Sequence, residues 1–553
     1  MRRPARSRQT EGRRGKGLSA RERQAAAAAL AGGGRPAAGG GIAARLRRGA
    51  RGLALGGFAL YAVAAPHSIA GAWMGLSLAV LGWLGGGGGR WRPAFARTPL
   101  DLPLWLLAGW TTLSCLLSPE PSVSVPKLAN VVTFLVFYLA RGVLTRRAAA
   151  GLAALMIASG VAGVLWGAGE LLAGRGVVIV SLRQDSPLKG ATPLAAGDAV
   201  WRVNGRRVSS VEEIDEAVRG ARPGERLRLS VISRGEHVEW AGGVVTDEAR
   251  SAESPSGLVG GGRTRRFRAS GWTRHYETFA ETIQMIAQLA LGFALAYGLR
   301  KRREGAWRSG RARDAFWLSA VGCAALALGL ALTAMRTALA AFAFGALVAA
   351  WRAAAGARAR AAVVGLVALV LVFGAVVVWR TRAGGALRLQ DPSATRRFEV
   401  ARVAIERVPL RPLLGHGMDS AQRRWREWGF PGDDLLHTHS TPVQLAFERG
   451  LPALFFWAWL MLAFWLMAAR AERAWRDTPD AAAHGLALGA CGALAGFLAS
   501  SLVNYNFGDA EVALLLWWLM AAVLTLEGST AGRAVGGERA RGPGARADAP
   551  RVR

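Results

Sequence analysis

The chain has 553 residues, 52% of them apolar, and its 70 Lys and Arg against 37 Asp and Glu leave a formal charge of +33. A positive mean hydropathy and 21 Trp gathered at the edges of apolar runs exclude a large soluble globule and indicate a polytopic membrane protein. The basic residues fall in two tails and in short loops, with no basic stripe interleaved with aromatics, which argues against nucleic acid as a partner.

Residues 1–51, rich in Arg, Ala and Gly, read as a disordered basic tail rather than a cleavable signal peptide. Apolar runs of roughly 15 to 25 residues then give about twelve spans. Residues 52–174 hold the first five, because the uncharged run 52–89 is too long for one crossing and breaks at Pro66-His67. A soluble module follows at 175–248, and a Ser/Gly-rich flexible linker at 249–272 returns the chain to the membrane. Residues 273–380 carry spans six to nine, 381–441 form a long polar loop, 442–527 carry the last three spans, and 528–553 form a second disordered tail. Cys115, Cys323 and Cys491 lie within apolar runs and are expected to pack as small hydrophobes without a disulfide.

The Arg and Lys clusters of both tails and of the loops after spans two, four, six, eight and ten fall on one side of this count. That side is cytoplasmic by the positive-inside rule, so both termini are cytoplasmic. The soluble module, Arg336 and the loop 381–441 then lie outside.

Within the module, Val177-Val178-Ile179-Val180 reads as a strand, Asp185-Ser186-Pro187-Leu188 and Ala196-Gly197-Asp198 as turns, and Asn204-Gly205 as a hairpin. A helix over 211–218 and an alternating strand over 226–233 complete a small α/β unit. This order resembles a PDZ domain of the bacterial type, although no leading strand with a carboxylate-binding loop precedes Val177. The unit reads equally as a peptide groove for an envelope protein or as a spacer that orients a partner. An intramembrane protease is disfavoured: His237 has no partner His one turn away, and no His-Glu-x-x-His occurs.

The most informative stretch is His439-Ser440 with Gly450 ten residues on, at the end of the outer loop where a new helix begins. Thr441 as N-cap, Pro442 at the first helical position and Gln444 predict the helix start and a capping box. An imidazole there faces the positive end of a helix dipole, which disfavours its protonation, beside N–H groups that suit an anion. An outer-loop histidine is ordinarily a solvated residue; the helix start is what sets His439 apart. Arg336, at the outer mouth of its span, reads either as a site residue or as a side chain snorkelling to the interface. The spacing of His416, His437 and His439 with Asp433 and Asp434 fits no common metal-ligand pattern.

Taken with Leu332-Thr333-Ala334-Met335-Arg336-Thr337, Arg397, Pro412-Leu413-Leu414-Gly415-His416-Gly417 and the entry Arg268-Ala269-Ser270-Gly271, this stretch resembles the O-antigen ligase and polymerase superfamily. The resemblance implies an all-α polytopic protein of glycosyltransferase C type, here with the PDZ-like insertion. It implies a metal-independent and cofactor-free transfer of a glycan from a polyprenyl diphosphate carrier to an acceptor hydroxyl, in a bacterial inner membrane with the site on the periplasmic side. His439 then resembles the catalytic base, and Arg336 and Arg397, with Arg396 as substitute, the arginines that hold the diphosphate. Arg268, His275, His437 and Ser440 are placed around the same cavity. A polysaccharide polymerase, a protein O-oligosaccharyltransferase, and a non-enzymatic scaffold or exporter that recruits envelope proteins are the other readings.

Overall fold

A computed structural model describes residues 39–540 apart from 87–97, 191–193, 234, 274, 355, 359, 362–364, 366–391 and 433–436. The first helices are α1 (Gly39–Ala64), α2 (Ile69–Gly85), α3 (Asp101–Leu116), the interrupted α4 (Pro121–Val143) and α5 (Arg146–Ala173). Helix α1 takes up the last thirteen residues of the expected tail, because Ala43-Ala44-Arg45-Leu46-Arg47-Arg48 is a run of strong helix formers. Pro66-His67 separates α1 from α2 as expected, and Ser68 caps α2 by accepting from Gly71 N–H. Helix α4 passes through two 3-10 turns around Pro126 and Val132-Thr133.

Past the soluble module come α8 (Tyr276–Glu304), α9 (Gly310–Leu332), α10 (Arg336–Ala353), the outer-loop helix α11 (Pro392–Arg407), α12 (Thr441–Trp475), α13 (Ala481–Ser501) and α14 (Ala510–Ala540). Helix α14 continues thirteen residues into the expected C-terminal tail. Among the described residues seven helices are long and apolar enough to cross a membrane, and Ile69–Gly85 is a shorter apolar one. The expected ninth span, 361–379, lies almost wholly outside the described residues. The chain is a polytopic α-helical membrane protein with a small sheet domain.

Helix α13 runs through the middle, enclosed on nearly all sides, and leans on α8 at glycines. A Cβ on Gly292 of α8 would overlap the backbone of Gly485 and Gly489 in α13, so the two axes close up as only small residues allow. At the end of α10 far from Arg336, Glu472 is fully buried. It accepts from Arg352 at 2.6 Å and Arg476 at 3.0 Å, with His484 Nε2 at 3.2 Å, so α10, α12 and α13 are fastened there by charge.

The soluble module comprises β1 (Val177–Leu182), β2 (Ala199–Val203), β3 (Arg206–Arg207), α6 (Val211–Gly220), β4 (Arg226–Ser233), β5 (Glu236–Val244), α7 (Asp247–Ser251) and β6 (Leu258–Gly260). Asn204 and Gly205 both have positive φ, as the expected two-residue hairpin demands. The sheet order β5-β4-β2-β1-β6 corrects one expectation. The supposed flexible linker is ordered: it forms α7 and then returns as β6, which pairs antiparallel with β1. The strand missing before Val177 is therefore supplied from the far end of the module. Leu258, 4% exposed, draws it in by joining the core of Val177, Ile214 and Val218.

Replacing Gly292 by Val should push α8 and α13 apart and cost about 1–3 kcal/mol, seen as a lowered Tm in detergent. Gly151→Val, at a position with no atom within 4 Å, should leave Tm nearly unchanged.

Candidate active site

Helix α12 begins one residue earlier than expected. Ser440 is its N-cap, Thr441 the first helical residue and Pro442 the second. The expected capping box is absent, since Gln444 reaches past Ser440 and its Oε1 accepts from Thr438 N–H at 2.7 Å. Thr441 instead ties the helix start to the loop before α14: its N–H donates to Asn504 O at 3.1 Å and its hydroxyl to Asn506 Oδ1 at 3.0 Å. His439, pinned between these anchors, adopts φ 51°, a left-handed conformation that a histidine takes only when its surroundings impose it.

The spacing from His439 to Gly450 has a mechanical cause. Gly450, at φ 83°, breaks the regular winding of α12. The freed carbonyls of Phe447 and Glu448 accept from His416 N–H at 2.9 Å and Gly417 N–H at 2.8 Å, while Leu451 N–H donates to Pro412 O at 2.8 Å. A Cβ on Gly450 would overlap Leu413 O, and one on Gly415 the backbone of Glu448. The motif 412–417 is thus a strap laid across the kink. His416 belongs to it, with Nε2 3.1 Å from Arg407 O and its ring against Phe447, away from the chemistry proposed below.

His439 is 7% exposed, and its Nε2 is buried without a protein partner. Burial, then the neighbouring His437 ring and Arg397 guanidinium, push its pKa down to about 3, so the ring is neutral. His437 stands behind it, ring centroids 4.5 Å apart, and leans on Tyr505. In front lies a cavity of about 590 Å³ whose wall includes His439, Ser440, Arg268, Arg336, Arg397 and Glu277. Three guanidinium groups against one carboxylate give its lining an excess of positive charge. Arg397, on α11, donates to Glu277 Oε1 at 3.2 Å. Arg336 opens α10 after Ala334, which has φ 52°, and Arg268 lies over the Tyr276 ring at 4.4 Å.

The structure therefore brings His439, Ser440, Arg336, Arg397 and Arg268 around one space. It leaves out three other candidates. Arg396 turns the other way and packs against Gly432. His275 is the exposed N-cap of α8 and does not line the cavity. His437 supports His439 from behind without reaching the cavity wall. Among the described residues no group of three or more His, Cys, Asp or Glu is placed to hold a metal ion.

Sequence reasoning missed Glu277, Glu281 and Asn504. Asn504 Nδ2 donates to Glu281 Oε1 and to Thr337 Oγ1, each at 3.1 Å, while its main-chain carbonyl accepts from Thr441 N–H. One residue thereby joins α8, α10 and α12 beneath the cavity. The signals were an acid pair four residues apart at the start of an apolar span, and the polar triplet Asn504-Tyr505-Asn506 between two others.

Gly450→Ala should cost at least about 1–2 kcal/mol in backbone strain and lift the strap. The expected readouts are a lower Tm and faster amide exchange at His416 and Gly417.

Two family models match the chain. The O-antigen ligase model matches residues 321–458, a stretch that contains Arg336, Arg397, His439 and Gly450. The PDZ domain model matches residues 158–240, which run from the last turns of α5 to the middle of β5 and stop short of β6. No curated protein matches the chain at a significant level. The cavity, the strap over the Gly450 kink and the sheet module thus sit in a chain that carries an O-antigen ligase domain in its second half and a PDZ domain ahead of it.

Proposed function

We propose that this protein transfers a glycan from a polyprenyl diphosphate carrier to an acceptor hydroxyl on the periplasmic face of a bacterial inner membrane. The observation that carries the reading is the convergence of a buried neutral imidazole and three arginines on one cavity at the rim of the helices. Such a cavity suits a lipid-borne anion better than a soluble nucleotide sugar, because the carrier presents its headgroup at the depth where the helices end.

In the transfer, the acceptor oxygen forms a bond to the anomeric carbon as the bond from that carbon to the diphosphate oxygen breaks. The acceptor's proton passes to the neutral His439 imidazole, and the diphosphate leaves on its lipid with one more negative charge. Arg336 and Arg397 offer planar, permanently charged forks to that anion, and Arg268 adds charge from the cavity wall. Ser440, the N-cap of α12, puts the positive end of a helix dipole at the cavity wall. A base with a pKa near 3 is weak, and a diphosphate beside it would offset this. Its negative charge favours the imidazolium that develops as the proton arrives. Ligase and polymerase chemistry share these steps and differ in the acceptor.

In vesicles loaded with lipid-linked glycan, His439→Ala should lower the transfer rate about 10²–10⁴-fold with the protein still folded and inserted. Arg336→Lys and Arg397→Lys should weaken donor binding, since an ammonium cannot form the two-pronged contact. Unimpaired transfer by His439→Ala would overturn the reading and favour a scaffold or exporter.

A second test uses pH. Because His439 in the free protein keeps its neutral form well below 6.5, kcat/KM should stay level as pH falls through 6.5 and decline only further down. The same burial makes stability fall in that window. Between the unfolded value near 6.5 and the folded value near 3 only the unfolded chain protonates this ring, so Tm should drop as pH falls, and less so in His439→Phe.

A further inference from the structure

We propose that the PDZ domain is closed in cis and serves as a brace for the transfer cavity, with residues 253–262 sealing its peptide edge and setting the position of Arg268. PDZ domains take an extended peptide by adding it to a sheet edge beside a helix. Here β6 already completes that edge. Its register on β1 is Ile179 with Gly260, Ser181 with Val259 and Leu182 with Leu258. The pairing is extended at both ends by Gly261 N–H to Val178 O at 2.7 Å and Arg183 N–H to Gly257 O at 2.9 Å.

Strand β6 is also close-packed against α6. A Cβ on Gly260 would overlap Val211 Cγ2 and come within 2.6 Å of Val177 Cγ1, so strand and helix touch at that residue with no width for a chain between them. The loop before β6 is filled as well. Asp215, 8% exposed on α6, accepts from Ser256 N–H at 2.8 Å, which puts an internal carboxylate on the amide nearest that helix. Ser256 is fully buried, and its carbonyl accepts from Ser186 Oγ at 2.5 Å.

From this seal to the cavity the chain has no slack. Thr264 and Arg175 exchange both main-chain hydrogen bonds, at 2.8 and 3.0 Å. Arg175 is itself buried, paired with Glu170 near the end of α5, and its guanidinium lies 4.7 Å from the Phe267 ring centroid. Phe267 packs against Trp201 and Ile232 of the sheet. Two residues on, Ala269 N–H donates to Leu332 O at 3.0 Å, the last residue of α9. Arg268 stands between these two attachments, one to the sheet and one to the helices, and lines the cavity with His439. Asp215, Leu258 and Gly260 are accordingly positioning residues: they hold a cavity wall without touching the substrate.

The test uses the full chain in vesicles and rests on the transferase reading for its activity arm alone. Gly260→Val and Asp215→Asn should each raise amide exchange at least tenfold over 256–262 and, by transmission, over 268–271, with β2 and β4 still protected. They should also raise KM for the lipid-linked donor several-fold with kcat less affected, and a labelled peptide Ser-Gly-Leu-Val-Gly-Gly should bind the variants and not the parent. Should Gly260→Val also strip protection from β2 and β4, Asp215→Asn, which keeps the side-chain shape, decides. Exchange released over 256–262 with 268–271 as protected as in the parent would overturn the proposal, and so would equal binding of the peptide to the parent. If no form of the protein transfers glycan, the exchange and peptide results alone still decide whether the brace exists.

Discussion

A helix that crosses a membrane must satisfy its backbone polar groups from within the protein, and α12 stops doing so for itself at Gly450. The carbonyls left over are taken by the strap 412–417, and that exchange brings the outer loop down onto the helix start. Once the strap is seated, α11 lies over the mouths of α8 and α10, and Arg397 faces Arg336 and His439 across one cavity. Without the kink the loop would have no main-chain partner in α12, and the charged groups would be free to separate toward water. The cavity is thus a by-product of backbone accounting at one glycine.

The electrostatics of the cavity follow from that arrangement. Burial first, and then the neighbouring His437 and Arg397, lower the hold of the His439 ring on a proton. On the proposed reading, a diphosphate beside this ring would offset the positive charge of the arginines and favour the imidazolium as the acceptor loses its proton, so donor binding would be coupled to acceptor activation. The left-handed backbone of His439 serves the same end: it turns the imidazole toward the cavity instead of along the helix, at a strain that the anchors of Thr438 and Thr441 sustain.

Much of this was legible in the chain. The apolar runs located the long apolar helices among the described residues, though not α11 in the outer loop, and the turn chemistry of Ser186-Pro187 and Asn204-Gly205 located the sheet module. The motif residues His439, Arg336 and Arg397 came together as their order along the chain suggested. What could not be read has a common physical cause, since it depends on long-range satisfaction of polar groups. Gln444 looked like half of a capping box, yet a side chain of that reach bonds whichever amide the turn presents, and the turn was set by Asn504 sixty residues on. Arg396 and Arg397 are adjacent and alike. Helical geometry points neighbouring side chains about 100° apart, so only one of them could face the cavity, and the sequence alone does not say which. Residues 249–272 have a linker's composition, but an edge strand of three residues needs little more than one buried Leu and a Gly at the tight approach.

A domain fastened by so short a strand would swing freely on the membrane surface without the attachments on either side of Arg268. The carrier lipid fixes its headgroup at one depth, so a cavity that receives it gains only if its walls keep register with the bilayer. The walls from α10 and α12 do so because they are membrane helices. Arg268 lies on a connecting segment, which by itself would fray. Anchoring that segment to a folded sheet on one side and to the end of α9 on the other holds it where no helix does. The sheet module then contributes to the cavity by staying shut, since a peptide that opened its edge would loosen the wall carrying Arg268.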